Sequence, residues 1–386
     1  MNKGASNEDQ CPLVSVVMPC LDEEGAIGIC IKKLREVIEK DNIDAEIIVC
    51  DNGSTDNSVN IARSLDVQVV HQPKRGYGNA CLKGFAHARG KYFIMADADD
   101  TYDFNEIPNF LDKLINEKND FVTGSRYIKG FKARSMPFLH RYLGNPLLTM
   151  ILNFLYGVNY SDVYSGFRAF SHEAYQRIKP ISPGMEFNLE LAINAKLAGL
   201  KIAEIPIVLH ERIGKSKLNT FKDGWRSLRM MLLYCPNKLF IAPGVFLLAI
   251  GILTHLVTLF GFVEYEGRAL SNVTGIFAVI FSVIGFEILN FGLQVKTYSW
   301  SRRFEKKNML LLKFYRIFNL EKGLIIGSGM VAAGFFILMS IVIQWLHSDL
   351  KPLGHPEWVS FSSTLIIIGS LTVFSSFSIS AMSMRE

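Results

Sequence analysis

Four carboxylates fall within the segment Asp97–Asp103, directly after the apolar run Tyr92–Ala96. Carboxylates this close repel one another, so a folded chain needs something that offsets their charge. Asp97 and Asp99 stand at positions i and i+2, which lets both side chains point at one hard divalent cation. Mg²⁺ or Mn²⁺ bridging a diphosphate suits such a pair. A solvated acidic turn is the alternative, and it is weakened by the acidic clusters that follow neighbouring apolar runs.

Two of those clusters, CLDEE and CDNGSTDNS, follow the first two apolar runs of the chain. Gly53 permits a tight turn, and Ser54, Thr55 and Asp56 are typical of a helix start. Capping does not explain Asp51 or Glu23. A carboxylate at Asp51 can accept hydrogen bonds from a base or ribose, and one at Glu23 can accept a ribose hydroxyl. The pattern therefore predicts nucleoside contact by these two residues.

The elements that must position these residues are visible as hydrophobic patterns. Short β-branched runs at 13–19, 45–50, 67–71 and 92–97 alternate with segments of helical periodicity. This alternation predicts an α/β fold, with a largely parallel sheet that binds ligands at the carboxyl ends of its strands. The three acidic clusters should meet at that edge. Later segments predict strands at 120–127 and 201–212, a helix at 185–200, and amphipathic helices at Pro137–Tyr156 and Thr220–Tyr234.

The C-terminal part predicts an integral membrane protein, since the hydrophobic fraction of 49% is concentrated there. Four apolar runs approach the length of about 20 residues that crosses a bilayer core as a helix. These runs are Ile241–Phe262, Val273–Val295, Leu324–Trp345 and Ser360–Met382. The first ten residues are polar and lack the apolar core of a signal peptide. The N-terminal part is therefore expected to stay on the side where it is made.

Charge in the connections predicts the orientation. Segment 296–322 holds eight Lys/Arg against two Glu, whereas 263–272 and 347–358 hold one basic residue each. The positive-inside rule places the basic segment, the N-terminal domain and the C-terminus in the cytoplasm. The net charge of +5 is modest and lies near the expected headgroups, which favours a membrane surface over nucleic acid. The six cysteines lack metal-binding spacing, so we expect them to be reduced thiols in the core.

The ordered motifs resemble family 2 glycosyltransferases of GT-A fold, and especially polyprenyl-phosphate glycosyltransferases such as dolichyl-phosphate mannose and glucose synthases. The motifs are VSVVMPCLDEEGAI, EIIVCDNGSTDNS, PKRGYGNACLKGF, MADADD, TGSRY and SDVYSGFRAF. The resemblance implies a UDP- or GDP-sugar donor, Mg²⁺ or Mn²⁺, a polyprenyl phosphate acceptor and inversion at the anomeric carbon. Two positions depart from the family pattern. Asn52 stands where many members have a second Asp, and Asp100-Thr101 replaces a frequent Leu-Gln or Leu-Ser.

The resemblance also implies roles for individual residues. Asp97 and Asp99 would hold the metal and diphosphate, and with Arg168 they are the expected catalytic residues. The implied nucleotide-binding residues are Pro19, Leu21, Glu23, Asp51 and Asp97. Arginine binds a phosphate dianion bidentately, which suits the acceptor. The acceptor candidates are Arg126, Arg134, Arg141, Arg168 and Lys217. Instead of binding the acceptor, the arginines could form surface salt bridges, and Lys217 could contact lipid headgroups.

We therefore expect a membrane-bound inverting hexosyltransferase that makes a lipid-linked sugar. Its expected segments are a polar tail at 1–11, a GT-A domain at 12–218, an amphipathic juxtamembrane helix at 219–239 and a four-helix membrane domain at 240–386. Glycines in the third apolar run suit helix packing or a homo-oligomer. One alternative is a lipid-binding or lipid-translocating protein with an inactive GT-A domain. Another is a polysaccharide synthase, which the absence of a QxxRW motif disfavours.

Overall fold

The chain divides into two compact units, with the division between Met231 and Leu232. A computed structural model describes residues 11–129, 136, 138–214, 220–233, 235–261, 264–265, 268–269, 272–301, 319–350 and 355–383. The division falls inside the predicted juxtamembrane segment 219–239. Each unit has its own secondary structure.

The first unit is built on a seven-stranded sheet. The strands are β1 (Val14–Cys20), β2 (Ala45–Asp51), β3 (Gln68–His71), β4 (Tyr92–Met95), β5 (Phe121–Ser125), β6 (Arg168–Ser171) and β7 (Ile202–Pro206). Their order is β3-β2-β1-β4-β6-β5-β7. The pairs β3-β2, β2-β1, β1-β4 and β5-β7 are parallel, as expected, but β6 is antiparallel to both β4 and β5. Strand β6 overlaps the SDVYSGFRAF motif, where the sequence pattern predicts no strand.

Helices cover both faces of this sheet. The helices described between residues 11 and 233 are α1 (Ile27–Lys40), α2 (Ser58–Ser64), α3 (Tyr77–Phe85), α4 (Ile107–Ile115), α5 (Arg126–Lys129), α6 (Asn145–Tyr156), α7 (His172–Ile178), α8 (Phe187–Leu197) and α9 (Thr220–Leu233), and α9 crosses the division between the two units. One apolar layer contains Ile31 and Leu34 of α1, and the other contains Phe85 of α3 and Leu191 of α8. All seven residues of β1 are buried, as expected for a strand covered on both faces. Burial of each such large side chain stabilises the fold by about 1.5–3 kcal/mol.

The register brings the polar clusters to one edge of the sheet. Cys20 at the end of β1 pairs with Asp51 at the end of β2, and Asp51 in turn pairs with His71 at the end of β3. Val17 of β1 pairs with Met95, the last residue of β4. The carboxyl ends of these parallel strands therefore lie side by side. The prediction that three acidic loops meet at one edge is confirmed.

The second unit contains four long helices, α10 (Ala242–Phe260), α11 (Asn272–Ser301), α12 (Leu320–His347) and α13 (Pro356–Ser383). The spans that satisfy the length and hydropathy of membrane crossing are 237–260, 273–297, 320–347 and 356–382. They confirm the four predicted spans. Glycine allows close helix contact here, because a Cβ on Gly251 of α10 would lie 2.3 Å from Ser282 Oγ of α11. A Cβ on Gly327 of α12 would lie 2.7 Å from the carbonyl oxygen of Gly369 of α13.

Candidate active site

Four carboxylates occupy the carboxyl edge of the sheet in the first unit. Asp51 ends β2, Glu23 lies on the loop after β1, and Asp97 and Asp99 lie on the loop after β4. Glu23, Asp51 and Asp99 are buried, and Asp97 is half-buried. The structure thus brings together the residues predicted to contact the nucleoside and the metal. Two other predicted nucleotide contacts lie beside them: Pro19 pairs with Cys50 inside the sheet, and Leu21 is half-buried just after β1.

Asp51 is held as an ionised, hydrogen-bonded group. Its carboxylate accepts hydrogen bonds from the backbone N–H of Gly53 (3.2 Å) and of Ser54 (2.8 Å). His71 Nδ1 lies 2.8 Å from Asp51 Oδ2. Burial raises the pKa of Asp51, but the hydrogen bonds from Ser54 and His71 outweigh burial and leave the pKa below its usual value. Gly53, with φ of +83°, supplies the turn that aims these amides at the carboxylate.

Asp97 sits in a crowded polar pocket that was not foreseen from sequence. The Tyr77 hydroxyl donates to Asp97 Oδ1 over 2.8 Å, and the Gly166 N–H donates to the hydroxyl of Tyr102 over 2.8 Å. A Cβ at Gly166 would lie 2.8 Å from Asp97 Oδ2, so a larger residue there would push the Asp97 carboxylate from its position. Burial, together with the nearby charge of Asp99, raises the pKa of Asp97 to about 7. A bound cation would reverse this shift.

Asp99 and Glu23 share a cation supplied by the chain. Arg212 Nη1 lies 2.9 Å from Asp99 Oδ2, and Arg212 Nη2 contacts Glu23 Oε1. The Thr101 hydroxyl donates to the other oxygen of Asp99 over 2.6 Å. The sequence did not predict that Arg212 lies beside Asp99 and Glu23. The one available signal was its basic residue type in the segment that follows the last strand of the sheet.

The amide of Asn52 explains one departure from the family pattern. Its Nδ2 donates to the carbonyl oxygens of Gln72 (3.0 Å) and Lys74 (2.8 Å), and its Oδ1 accepts from the N–H of Gly76 (2.7 Å). An aspartate at this position would keep the acceptor but lose both donated bonds. Asn52 therefore fixes the loop between β3 and α3 beside Asp51.

We expect Asn52→Asp to lower the free energy of unfolding by about 2 kcal/mol, because two donated hydrogen bonds are lost at about 1 kcal/mol each. Asn79→Asp is the matched control, because the Asn79 side chain donates to the carbonyl oxygen of Arg75 from an exposed position. Chemical denaturation of both variants measures the difference. Equal stability of the two variants would show that the amide of Asn52 does not hold the loop.

The carboxylate pair fits a divalent cation that is shared with a substrate. The described residues contain no cluster of three or more His, Cys, Asp or Glu side chains able to hold a metal. Mg²⁺ typically uses one or two protein carboxylates and completes its shell with water and phosphate oxygens. Asp97 and Asp99, two residues apart on the loop after β4, would provide such a partial site.

Two of the acceptor candidates, Arg126 and Arg168, have partners inside the protein. Arg126 Nε and Nη2 contact the carboxylate of Asp162 at 2.5 and 2.8 Å. Burial lowers the pKa of the Arg126 guanidinium, but Asp162 outweighs burial and raises it. Arg168 is fully buried, and burial lowers its pKa. Its guanidinium donates to the backbone oxygens of Val163, Ser165 and Asn188 at 2.6, 2.9 and 2.5 Å.

These contacts give Arg126 and Arg168 a structural role, and their acceptor role stays a prediction. Arg134 and Lys217 lie outside the residues that the structure describes. Arg141 is half-buried, and its guanidinium lies over the ring of Tyr142 at 5.2 Å. Of the three predicted acceptor residues that the structure describes, Arg141 is the most exposed.

The chain combines an α/β domain that has carboxylates at its strand ends with four helices of membrane-spanning length, as expected of a membrane-bound transferase whose ligand binds at that edge. The family model described as Glycosyl transferase family 2 matches residues 15–179. The model described as the glycosyltransferase family 2 C-terminal transmembrane region matches residues 293–383.

Curated relatives support the same assignment. The chain is 37% identical over 373 residues to the low-salt glycan biosynthesis hexosyltransferase Agl6 of Haloferax volcanii, covering 97% of this chain and 90% of that protein. The chain belongs to glycosyltransferase family 2, and it is a membrane-bound glycosyltransferase. The expected GT-A fold with four following helices is confirmed.

Two further similarities complete the comparison. The dolichyl-phosphate hexose transferase of Haloferax volcanii is 35% identical over 211 residues, covering 55% of this chain and 89% of that protein. The crystal structure of glucosyl-3-phosphoglycerate synthase from Mycobacterium tuberculosis with Mn²⁺, UDP and glucosyl-3-phosphoglycerate is similar at a TM-score of 0.47 and 22% identity. It covers 58% of this chain and 80% of that one.

Proposed function

We propose that this enzyme transfers a hexose from a UDP- or GDP-sugar to a polyprenyl phosphate, with inversion at the anomeric carbon. The observation that carries the proposal is the meeting of Glu23, Asp51, Asp97 and Asp99 at one sheet edge, in a chain with four membrane spans. The similarity to proteins named hexosyltransferase and dolichyl-phosphate hexose transferase supports a hexose donor and a lipid phosphate acceptor.

The donor would bind across the strand ends. Asp51 is ionised and faces the loop that Asn52 holds, so it can accept hydrogen bonds from the base or ribose. Glu23 offers a carboxylate to a ribose hydroxyl. Asp97 and Asp99 would hold Mg²⁺ or Mn²⁺, which supplies charge neutralisation for the departing diphosphate when bound. Tyr77 and Gly166 orient Asp97 for this task.

The acceptor requires positioning more than proton removal. A lipid monophosphate is already ionised near neutral pH, so no strong general base is needed, and its approach depends on orientation and charge neutralisation. Arg141 is the favoured cation among the described residues, with Arg134 and Lys217 as further candidates.

An exposed apolar stripe supports a lipid substrate. Leu143, Leu147, Met150 and Phe154 follow helical spacing along α6 and its preceding turn, and all four are exposed. The opposite face of α6 buries Thr149, Leu152 and Leu155. A stripe of this kind is typical of a helix that lies on a bilayer surface.

A direct assay tests the proposal. Purified protein in detergent is incubated with Mn²⁺, polyprenyl phosphate and a panel of radiolabelled UDP- and GDP-hexoses, and the organic phase is analysed for glycolipid. We expect one nucleotide sugar to give a labelled lipid only when polyprenyl phosphate is present. Lipid labelling by none of the donors would support an inactive domain, and labelled polymer in the aqueous phase would support a polysaccharide synthase.

We further propose that the catalytic unit and the C-terminus are cytoplasmic, because eight of the basic residues lie in 296–322. The two ends of α12 provide a matched test. In a Cys11→Ser background, a membrane-impermeant thiol reagent added outside cells should label His347→Cys but not Glu321→Cys. The reverse labelling pattern would refute this orientation.

A further inference from the structure

Arg212 joins two carboxylates that, under the proposed function, serve different parts of the donor. Its guanidinium contacts Asp99 through Nη1 at 2.9 Å and Glu23 through Nη2. Asp99 is a predicted metal ligand, and Glu23 is a predicted ribose contact. About one-quarter of the Arg212 side chain is exposed, and its Nε is buried without a hydrogen-bond partner in the described part of the chain.

The backbones around this contact are held independently of it. The Ile213 N–H donates to the carbonyl oxygen of Asp99 over 3.1 Å, and the His210 N–H donates to that of Thr101 over 2.9 Å. The N–H of Glu23 donates to the Ser58 hydroxyl over 2.8 Å. The guanidinium can therefore change partners while the backbones that carry the three side chains stay in place.

Electrostatic repulsion favours such a change when a metal binds. Asp97, Asp99 and Glu23 carry up to three negative charges, and Arg212 is the cation that contacts two of them. A divalent cation at Asp99 would face the guanidinium at close range, and like charges at that distance repel strongly in a partly buried site. A ribose hydroxyl at Glu23 would compete with Arg212 Nη2 for the Glu23 carboxylate.

We propose that Arg212 is the internal counter-ion of the donor-free site, and that a divalent cation and the ribose of a nucleoside diphosphate sugar replace it at Asp99 and Glu23. The inference rests on the proposed function and deepens it. Because one side chain contacts both carboxylates, release from one favours release from the other. Arg212 thereby couples cation binding to donor binding through a contact within the chain.

Binding of Mn²⁺ alone, measured by electron paramagnetic resonance on the full-length protein in detergent, tests the proposal. Arg212→Ala should bind Mn²⁺ about tenfold more tightly than wild type, since no internal cation competes for Asp99. Arg212→Lys should fall between them, because an ammonium keeps the charge but cannot form the two-pronged bridge. Arg89→Ala is the matched control and should equal wild type, because Arg89 pairs with Glu46 near the start of β2.

Unchanged or weaker Mn²⁺ binding by Arg212→Ala, with wild-type binding intact, would overturn the counter-ion proposal alone. Absence of Mn²⁺ binding in wild type would overturn the metal site of the proposed function and this inference with it. A second measurement avoids any folding defect of the variants. Phenylglyoxal modifies arginine side chains, and the rate at which it modifies Arg212 in wild type can be measured by peptide mass spectrometry. Mn²⁺ should raise this rate, because it releases the guanidinium from Asp99. An unchanged rate would also contradict the proposal.

Discussion

Asp99→Asn is expected to reduce glycolipid formation by at least about a hundredfold, because metal stabilisation of the leaving diphosphate is worth several kcal/mol. Asparagine keeps the size of the side chain and can still accept the hydrogen bond from the Thr101 hydroxyl. It removes the charge that would bind the cation and that Arg212 contacts. The variant should therefore fold, and both its turnover and its affinity for Mn²⁺ should fall.

The neighbouring residue provides the control for this prediction. Asp100 lies on the same loop, has a φ of +62° that asparagine tolerates, and pairs with the half-exposed Lys33 at 2.7 Å. Exposed ion pairs contribute little, so Asp100→Asn should stay within about threefold of wild-type turnover. Full activity of Asp99→Asn, or full activity of wild type in EDTA, would exclude the metal role.

The strand ends were predictable because their signals are local. An apolar β-branched run followed by a polar cluster marks the carboxyl end of a buried strand, and this placed Asp51, Asp97 and Asp99 at one edge. The β6 strand was not predictable in this way. It has only four residues, Arg168–Ser171, and its antiparallel place between β4 and β5 depends on pairings distant in sequence.

The missed parts of the site are also long-range contacts. Arg212 reaches Glu23 across 189 positions of the chain, and Tyr77 reaches Asp97 across 20. No local pattern distinguishes these side chains from surface residues. Residue type alone likewise does not tell whether an arginine faces a ligand or the core. Arg126 and Arg168 match the acceptor role by charge and family position, but both lie in the interior, where Arg126 pairs with Asp162 and Arg168 donates to backbone oxygens.

Arg168→Ala is expected to lower the free energy of unfolding by at least about 3 kcal/mol, because three buried carbonyl oxygens lose their donor at about 1 kcal/mol or more each. Those oxygens belong to Val163, Ser165 and Asn188. Arg168 is the first residue of β6, so its guanidinium joins this strand to the segment before it and to α8. Arg168→Lys should recover little of this stability, since an ammonium cannot replace the planar fork.

Arg177→Ala is the matched control, because Arg177 Nη2 donates to one carbonyl oxygen, that of Ala198, over 2.6 Å. Its loss should cost about 1 kcal/mol. Thermal unfolding followed by intrinsic fluorescence compares the variants, and acceptor kinetics on the folded fraction separate the two roles of Arg168. If Arg168→Ala unfolds at the wild-type temperature but needs far more polyprenyl phosphate, Arg168 binds the acceptor. If it unfolds at a lower temperature and its folded fraction has an unchanged KM for the lipid, its function is to tie β6 to the segment before it and to α8.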